Sequence, residues 1–297
     1  MCVQGKLRLV VLVSSDPSDI YFANQLAKRL DVAGIIVEHH GDAGGLQRKL
    51  RKLLRLAAHP VQLAEALQKR RLEKEMQRKA HEVTLQGFGA DGYELRAPGE
   101  CRVVHVHGKF AVNSPEAVAA ISEIRPDVIA VCGTSILKEA VLSIPSKGTL
   151  NLHGGLSQRY RGIWTTHWAV VNEEPEYIGA TVHYVSAGID DGDIVFQGRP
   201  QLDGTENPES LYVKVVKLGV EMMIAAIGEI GDGNARRFPL EMKGRLYLGK
   251  MVTPDMLQQA WANAERGVIR DYLANKAARD AEVIPLMRGV FNGSGEM

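Results

Sequence analysis

The chain has 297 residues, 45% of them hydrophobic and 24% charged, so it can bury a full core as one large domain or two smaller ones; disordered, collagen-like and coiled-coil architectures are excluded. Thirty-six Lys and Arg against thirty-five Asp and Glu give a net charge of +1, so no protein-wide field recruits nucleic acid or an anionic membrane, and such a partner would need a local patch. Three cysteines, Cys2, Cys101 and Cys132, are too few and too scattered for a disulfide framework or a zinc cluster, which fits a reducing, cytoplasmic setting.

The apolar run Leu9 to Val13 is shorter than a signal-peptide core and far short of the roughly 20 residues of a membrane span, so Leu7 to Val13 reads as a buried first strand. Ser-Ser-Asp-Pro-Ser-Asp follows, where Asp16 can cap a helix, Pro17 can open it and Asp19 adds negative charge to its first turn. The turn from Ser14 to Asp19 holds no glycine, so the backbone cannot approach a pyrophosphate as in nicotinamide or flavin sites, and no Walker-type sequence supports nucleotide hydrolysis. A second strand spans Val32 to Glu38.

Residues 41–98 are too many for a simple strand-to-strand connection and read as an inserted, basic helical arm. Leu46, Leu50, Leu53, Leu54 and Ala57 fall on one helical face, with Arg48, Lys49, Arg51, Lys52 and Arg55 around them; a second helix carries Lys69, Arg70, Arg71, Lys74, Arg78 and Lys79. Against Glu65, Glu73, Glu75 and Glu82 these eleven basic residues make the stretch 46–82 of the arm about +7 and the rest of the chain about −6. A solvated face of a packed helix pair is the plain expectation, with peripheral contact to anionic lipid or a polyanion as the functional one.

Strands at Arg102 to Val106 and Asp127 to Cys132 flank a helix capped by Ser114 and opened by Pro115. Alternating strands and helices predict an α/β fold with a doubly wound, mostly parallel sheet, whose sites lie at the carboxyl ends of the strands. Residues 1–203 are read as the catalytic domain and 204–297 as a mainly helical extension: a helix capped by Asn207 and Pro208, a short hairpin within Phe238 to Leu248, a helix opened by Thr253 and Pro254, and a loosely held tail. His105 and His107 share a strand face, but no carboxylate or cysteine stands at ligand spacing, and no metal is expected; His39-His40 reads as a surface turn.

Asn151-x-His153 places an amide and an imidazole on one face of an extended segment, and Gly179-x-Thr181-x-His183 leads into a loop that supplies Asp190. With Tyr160-Arg161-Gly162, Trp168-Ala169, Asp190-x-Gly192-x-Ile194, Arg125-Pro126-Asp127 and the Pro145 to Gly148 spacing, the chain resembles the formyltetrahydrofolate-dependent formyltransferases, which include glycinamide ribonucleotide, methionyl-tRNA and sugar-amine enzymes, across roughly Leu7 to Pro200. It departs from them where Gly155-Leu156-Ser157-Gln158 and Thr165 replace the usual Ser-Leu-Leu-Pro and a Pro.

The resemblance implies a formyltransferase-like Rossmann variant with formyltetrahydrofolate as co-substrate, and a catalytic triad of Asn151, His153 and Asp190. It implies that backbone groups of Thr134, Ser135, Ile136 and Leu137 grip the pterin, with Gly188 and Ile189 in the loop that closes over it. Tyr160, Arg161, Trp164 and Trp168 are candidates to wall an acceptor pocket, and Thr181 and His183 to support Asp190, although aromatic residues beside a sheet are more often core. The expected reaction is formyl transfer to a primary amine of a small or nucleotide-linked acceptor such as an amino sugar, with nucleic acid not expected as partner because residues from Gly204 onward read as helices. A formyltetrahydrofolate hydrolase using the same triad, a methionyl-tRNA formyltransferase, and a non-catalytic scaffold acting through the basic arm are the alternatives.

Overall fold

The computed structural model describes residues 7–41, 60–186 and 188–291. Strands β1 (Leu9–Ser14), β2 (Val32–His39), β3 (Arg102–His107), β4 (Val128–Cys132) and β5 (Gly148–His153) run parallel; β6 (Tyr160–Gly162) lies apart from them; β7 (Ala180–Tyr184) and β8 (Ile194–Gly198) complete the sheet antiparallel, in the order β3-β2-β1-β4-β5-β7-β8. Every residue of β1 is buried, because Leu9, Val11 and Val13 face one core while Val10 and Leu12 face another. This two-sided burial makes parallel strands read as unbroken apolar runs.

The first core is closed by α1 (Pro17–Arg29), through Phe22 and Leu26, and by a long helix late in the chain; the second is closed by Ala117, Ile121 and Ile124 of α3 (Pro115–Ile124). Burying each such Phe, Leu or Ile stabilises the fold by about 1.5–3 kcal/mol. Ser114 accepts the Ala117 N–H to cap α3, whereas Asp16 makes no side-chain cap bond and leaves α1 to open on Pro17. The short helices α4 (Glu139–Leu142) and α5 (Thr165–Val171) follow β4 and β6.

Between β2 and β3 lies α2 (Pro60–Phe88), the second of the two basic helices expected in the arm; the first, and its apolar face, lies outside the described residues. Helix α2 packs on α1 and on the late helices α6 (Pro208–Gly231) and α7 (Pro254–Arg266). Met76 and Phe88 are buried, Phe88 lies 5.0 Å from Tyr21 ring to ring, and Lys79 stands 5.0 Å over Trp261. Lys69, Arg70, Arg71, Lys74 and Arg78 are exposed.

The extension begins with α6, where Asn207 accepts from Glu209 N and Ser210 N in a capping box, and continues through α7, capped by Thr253, to α8 (Val268–Ala274) and α9 (Lys276–Val283). The stretch expected as a hairpin divides instead: Phe238 bridges Ile194 at the sheet edge, and β9 (Arg245–Tyr247) pairs in parallel with β6. Separate partners for its two ends leave no turn to close between them. The tail is held as far as Phe291, because Gln197 N–H donates to Gly289 O, Phe291 N–H donates to Gln197 O, and Phe291 packs on Phe196. Among the described residues no helix is long and apolar enough to cross a membrane.

Candidate active site

Strand β5 carries Asn151 and His153 to the carboxyl edge of the sheet, and the segment after β7 returns Asp190 to them. His153 Nε2 donates to the backbone carbonyl of Tyr160 at 2.8 Å, which fixes the ring, and its Nδ1 stands 3.3 Å from Asp190 Oδ2. Each ring nitrogen thus faces an acceptor, and the doubly protonated ring satisfies both. Asn151 Nδ2 donates to Asp190 Oδ1 at 3.3 Å and lies 3.1 Å from His183 Nε2. His183 donates its Nδ1 hydrogen to Tyr184 O at 2.8 Å, so the neutral ring accepts the Asn151 amide, and the charged ring pairs with Asp190 Oδ1 at 3.5 Å.

Asp190 is the hub of this network. Burial pushes its carboxyl up, but the charge of His153, the hydrogen bond and charge of His183 and the Gly162 N–H at 2.8 Å outweigh burial and hold it well below the usual carboxylate range. Its backbone is left-handed at φ 48°, and the neighbouring loop is tied down by Arg161 Nε donating to Ile189 O at 2.9 Å and Lys243 pairing with Asp191 at 2.8 Å. Gly162 is required here: at φ 92° a Cβ would stand 2.0 Å from Tyr247 O, where β6 meets β9.

These residues line a cavity of about 990 Å³. Thr134 to Leu137, beyond β4, form one stretch of its wall, and Ser186, Gly188 and Ile189 form another. Glu38, at the end of β2 and fully buried, braces the first wall: one carboxylate oxygen accepts Ser135 N–H at 2.6 Å and the other Val112 N–H at 3.0 Å. Asn113 adds to the brace by donating to Ile136 O and accepting from Lys138 N–H. On the floor, burial and the Asp16 charge raise the Asp19 carboxyl to about 6 against the hydrogen bonds of Ser14, Ser18 and Cys132. Gly133, at φ 74°, makes room for it, since a Cβ there would lie 1.7 Å from Asp19 Oδ2.

Of the aromatic candidates only Trp164 lines the cavity. Tyr160 is buried behind it, donating its hydroxyl to Glu174 at 2.5 Å and stacking on Tyr247, and Trp168 stacks on the other side of the same network, 4.7 Å from Tyr247. Both are core because β9 covers them. Arg161 acts on the Ile189 carbonyl rather than on the cavity, and Thr181 donates to Gly155 O at 2.7 Å, away from Asp190. The altered residues also have work here: a Cβ at Gly155 would come within 2.8 Å of His153 Nε2, and Thr165 Oγ1 ties Gly154 O at 2.7 Å. His39 bonds His105 at 2.9 Å and stacks on His107, and among the described residues no three side chains converge as a metal site.

Residues 7–227 match the family model described as formyl transferase. The chain belongs to the formyl transferase family. Among curated relatives, the methionyl-tRNA formyltransferase of Methylacidiphilum infernorum is 36% identical over 129 residues, 43% of this chain and 40% of that protein. The chain thus spans about two fifths of the length of such relatives. Among solved structures, a 4-N formyltransferase from Francisella tularensis superimposes with a TM-score of 0.50 at 16% identity over 88% of each chain. An N-formyltransferase from Helicobacter canadensis, solved with folinic acid and dTDP-3-aminofucose, gives 0.51 at 12% identity over 86% of this chain and 80% of that one. At these identities the likeness establishes the formyl transferase fold.

Sequence reading missed several parts of this formyl transferase site. The Tyr160 carbonyl carries no side-chain signal, Glu38 looked like the polar end of a strand, and the far wall comes from Gln77, His81 and Thr84 of α2 and from Tyr247 to Gly249 beside β9. Glu38 had one usable cue: a carboxylate ending an apolar strand must find donors in the core.

Proposed function

We propose that this chain transfers a formyl group from formyltetrahydrofolate to the primary amine of a small or nucleotide-linked acceptor. The observation that carries the proposal is the meeting of Asn151, His153 and Asp190 on one wall of a cavity whose neighbouring wall is the braced backbone of 134–137. The neutral amine attacks the formyl carbon, its nitrogen–carbon bond forms, and the carbonyl becomes a tetrahedral oxyanion. Asn151 and the protonated His153, each held to Asp190 by a long 3.3 Å contact, share those hydrogens with that oxygen, and removing one such preorganised donor costs about 10²–10³ in turnover. The bond from the formyl carbon to the folate nitrogen then breaks, and the proton lost by the amine passes through Asp190 and its histidines to that nitrogen. With the Tyr160 carbonyl fixing Nε2, the Nδ1 side of His153 is the side left to serve Asp190 and the substrate. The pterin would lie between 134–137 and the Ser186, Gly188 and Ile189 wall, where planar donors and acceptors suit main-chain groups.

A tRNA-linked amine is the second reading, favoured by the identity to methionyl-tRNA formyltransferases. The test is to incubate the protein with formyltetrahydrofolate and nucleotide-linked amino sugars, amino acids or methionyl-tRNA, and to follow formyl addition by mass spectrometry. Formylated sugar amine is the expected product. Formylated methionyl-tRNA alone would establish the second reading, and formate released without any amine would make the protein a hydrolase.

A further inference from the structure

Two ionisable side chains in the cavity wall take no part in the triad. His167 on α5 and Glu209 in the first turn of α6 meet through Nε2 and Oε1 at 2.9 Å, with side chains 2% and 7% exposed. The pairing leaves His167 Nδ1 buried without a partner among the described residues, and Glu209 Oε2 accepts no hydrogen bond from them. Buried polar atoms are nearly always satisfied, so the unpartnered His167 Nδ1 marks the pair as incomplete, and Glu209, which lines the cavity, keeps Oε2 as an acceptor for a ligand there. A pair that only joined α5 to α6 would not need to face the cavity.

Trp164 stands beside this pair. Its ring lies edge-on to His167 at 4.6 Å, it lines the cavity while 40% exposed, and its backbone is left-handed at φ 59°. L residues adopt that conformation at a cost, and an aromatic ring held outward by it is a built feature. The charge of the cavity narrows what fits: Asp16, Asp19, Asp190 and Glu209 line it, and among the described residues no lysine or arginine does. Phosphate is disfavoured inside, whereas hydroxyl and ammonium groups, which donate hydrogen bonds, are matched. Arg245 and Lys250, which flank the lining residues Tyr247 to Gly249 in sequence, are exposed and supply positive charge outside the cavity lining.

We propose that Glu209, His167 and Trp164 form the acceptor subsite, taking the hydroxylated ring of a sugar amine with a hydroxyl donated to Glu209 Oε2 and a C–H face laid on Trp164. This rests on the formyl-transfer reading. His167 is a positioning residue that orients Glu209, and any phosphates of the acceptor lie outside at the rim.

The test uses the full chain, folinic acid, and two amines that share a nucleotide: dTDP-3-aminofucose and a dTDP aminohexyl ester that lacks the ring. Calorimetry should show the wild type binding the sugar amine about tenfold more tightly than the ester. Glu209→Gln and Trp164→Ala should each remove that preference, with folinic acid affinity unchanged within about twofold. Trp164→Ala, at a half-exposed position, decides the matter should Glu209→Gln fail to fold. Variants that lower thermal stability but keep the wild-type preference would make the pair structural and overturn the proposal. Equal binding of the two amines by the wild type, or binding of neither beside folinic acid, would overturn it and leave the folate reading standing. Failure to bind folinic acid at all would overturn both.

Discussion

The two sides of the cavity are built differently. The strand-end side is a closed polar network in which Asn151, His153, His183 and Asp190 satisfy one another across β5 and β7 and the Gly162 N–H completes the set. The helical side is assembled from α2, α5, α6 and the residues after β9, mixes apolar surface with isolated polar atoms, and leaves some of them open. A network that is complete without ligand is preorganised for one kind of chemistry, and a wall with open valences is shaped for a partner. On the proposed function, reaction and selectivity therefore fall to different parts of the chain.

That contrast can be broken most severely on the strand side. Asp190→Asn should lower turnover by about 10²–10³ while folinic acid affinity stays near wild type, as read by steady-state kinetics and calorimetry; unchanged turnover would remove Asp190 from the reaction. Glu38→Gln comes next. One backbone N–H would face an amide NH2 in place of an acceptor and the other would keep only a neutral one, which weakens folate binding by about tenfold or more and leaves the KM for the amine in place; an amine-specific defect would contradict the brace.

The smallest effect is one of pH. Asp19 holds its proton up to about pH 6 when folded, against about 3.9 unfolded. Its folded value is the higher one, so the native state binds more protons across that window and stability falls as pH rises from about 4 to about 6, by on the order of 2–3 kcal/mol. Asp19→Asn lacks this term and should gain on the wild type over the same window in thermal melts; a stability difference that stays flat with pH would refute it. Asp190, whose carboxyl is depressed, has the opposite sign: its contribution is present above about pH 3.9 and is lost only in stronger acid, so the two do not overlap.

What could be read in the sequence follows the same division. The sheet was legible because strands buried on both faces leave unbroken apolar runs, and Ser114, Asn207 and Thr253 mark helix starts by a local bond. The Asn-x-His pair was legible because strand periodicity alone puts the two side chains on one face. Tyr160 and Trp168 read as pocket residues because sequence cannot show that β9, more than seventy residues later, covers them. The basic residues of α2 drew attention to its solvated face, while Gln77, His81 and Thr84 on its other side reach the cavity. His167 and Glu209 are 42 positions apart and share no motif; only packing of α5 on α6 joins them.

The pairing of β9 with β6 carries a consequence for biogenesis. The residues of the polar network are all translated by position 190, yet the lining contributed by Tyr247 to Gly249 is not in place until β9 has left the ribosome and paired with Tyr160 to Gly162. Under the proposed function, a nascent chain that has passed residue 190 holds the polar network before this part of the cavity lining, so binding competence trails the network by more than fifty residues of synthesis.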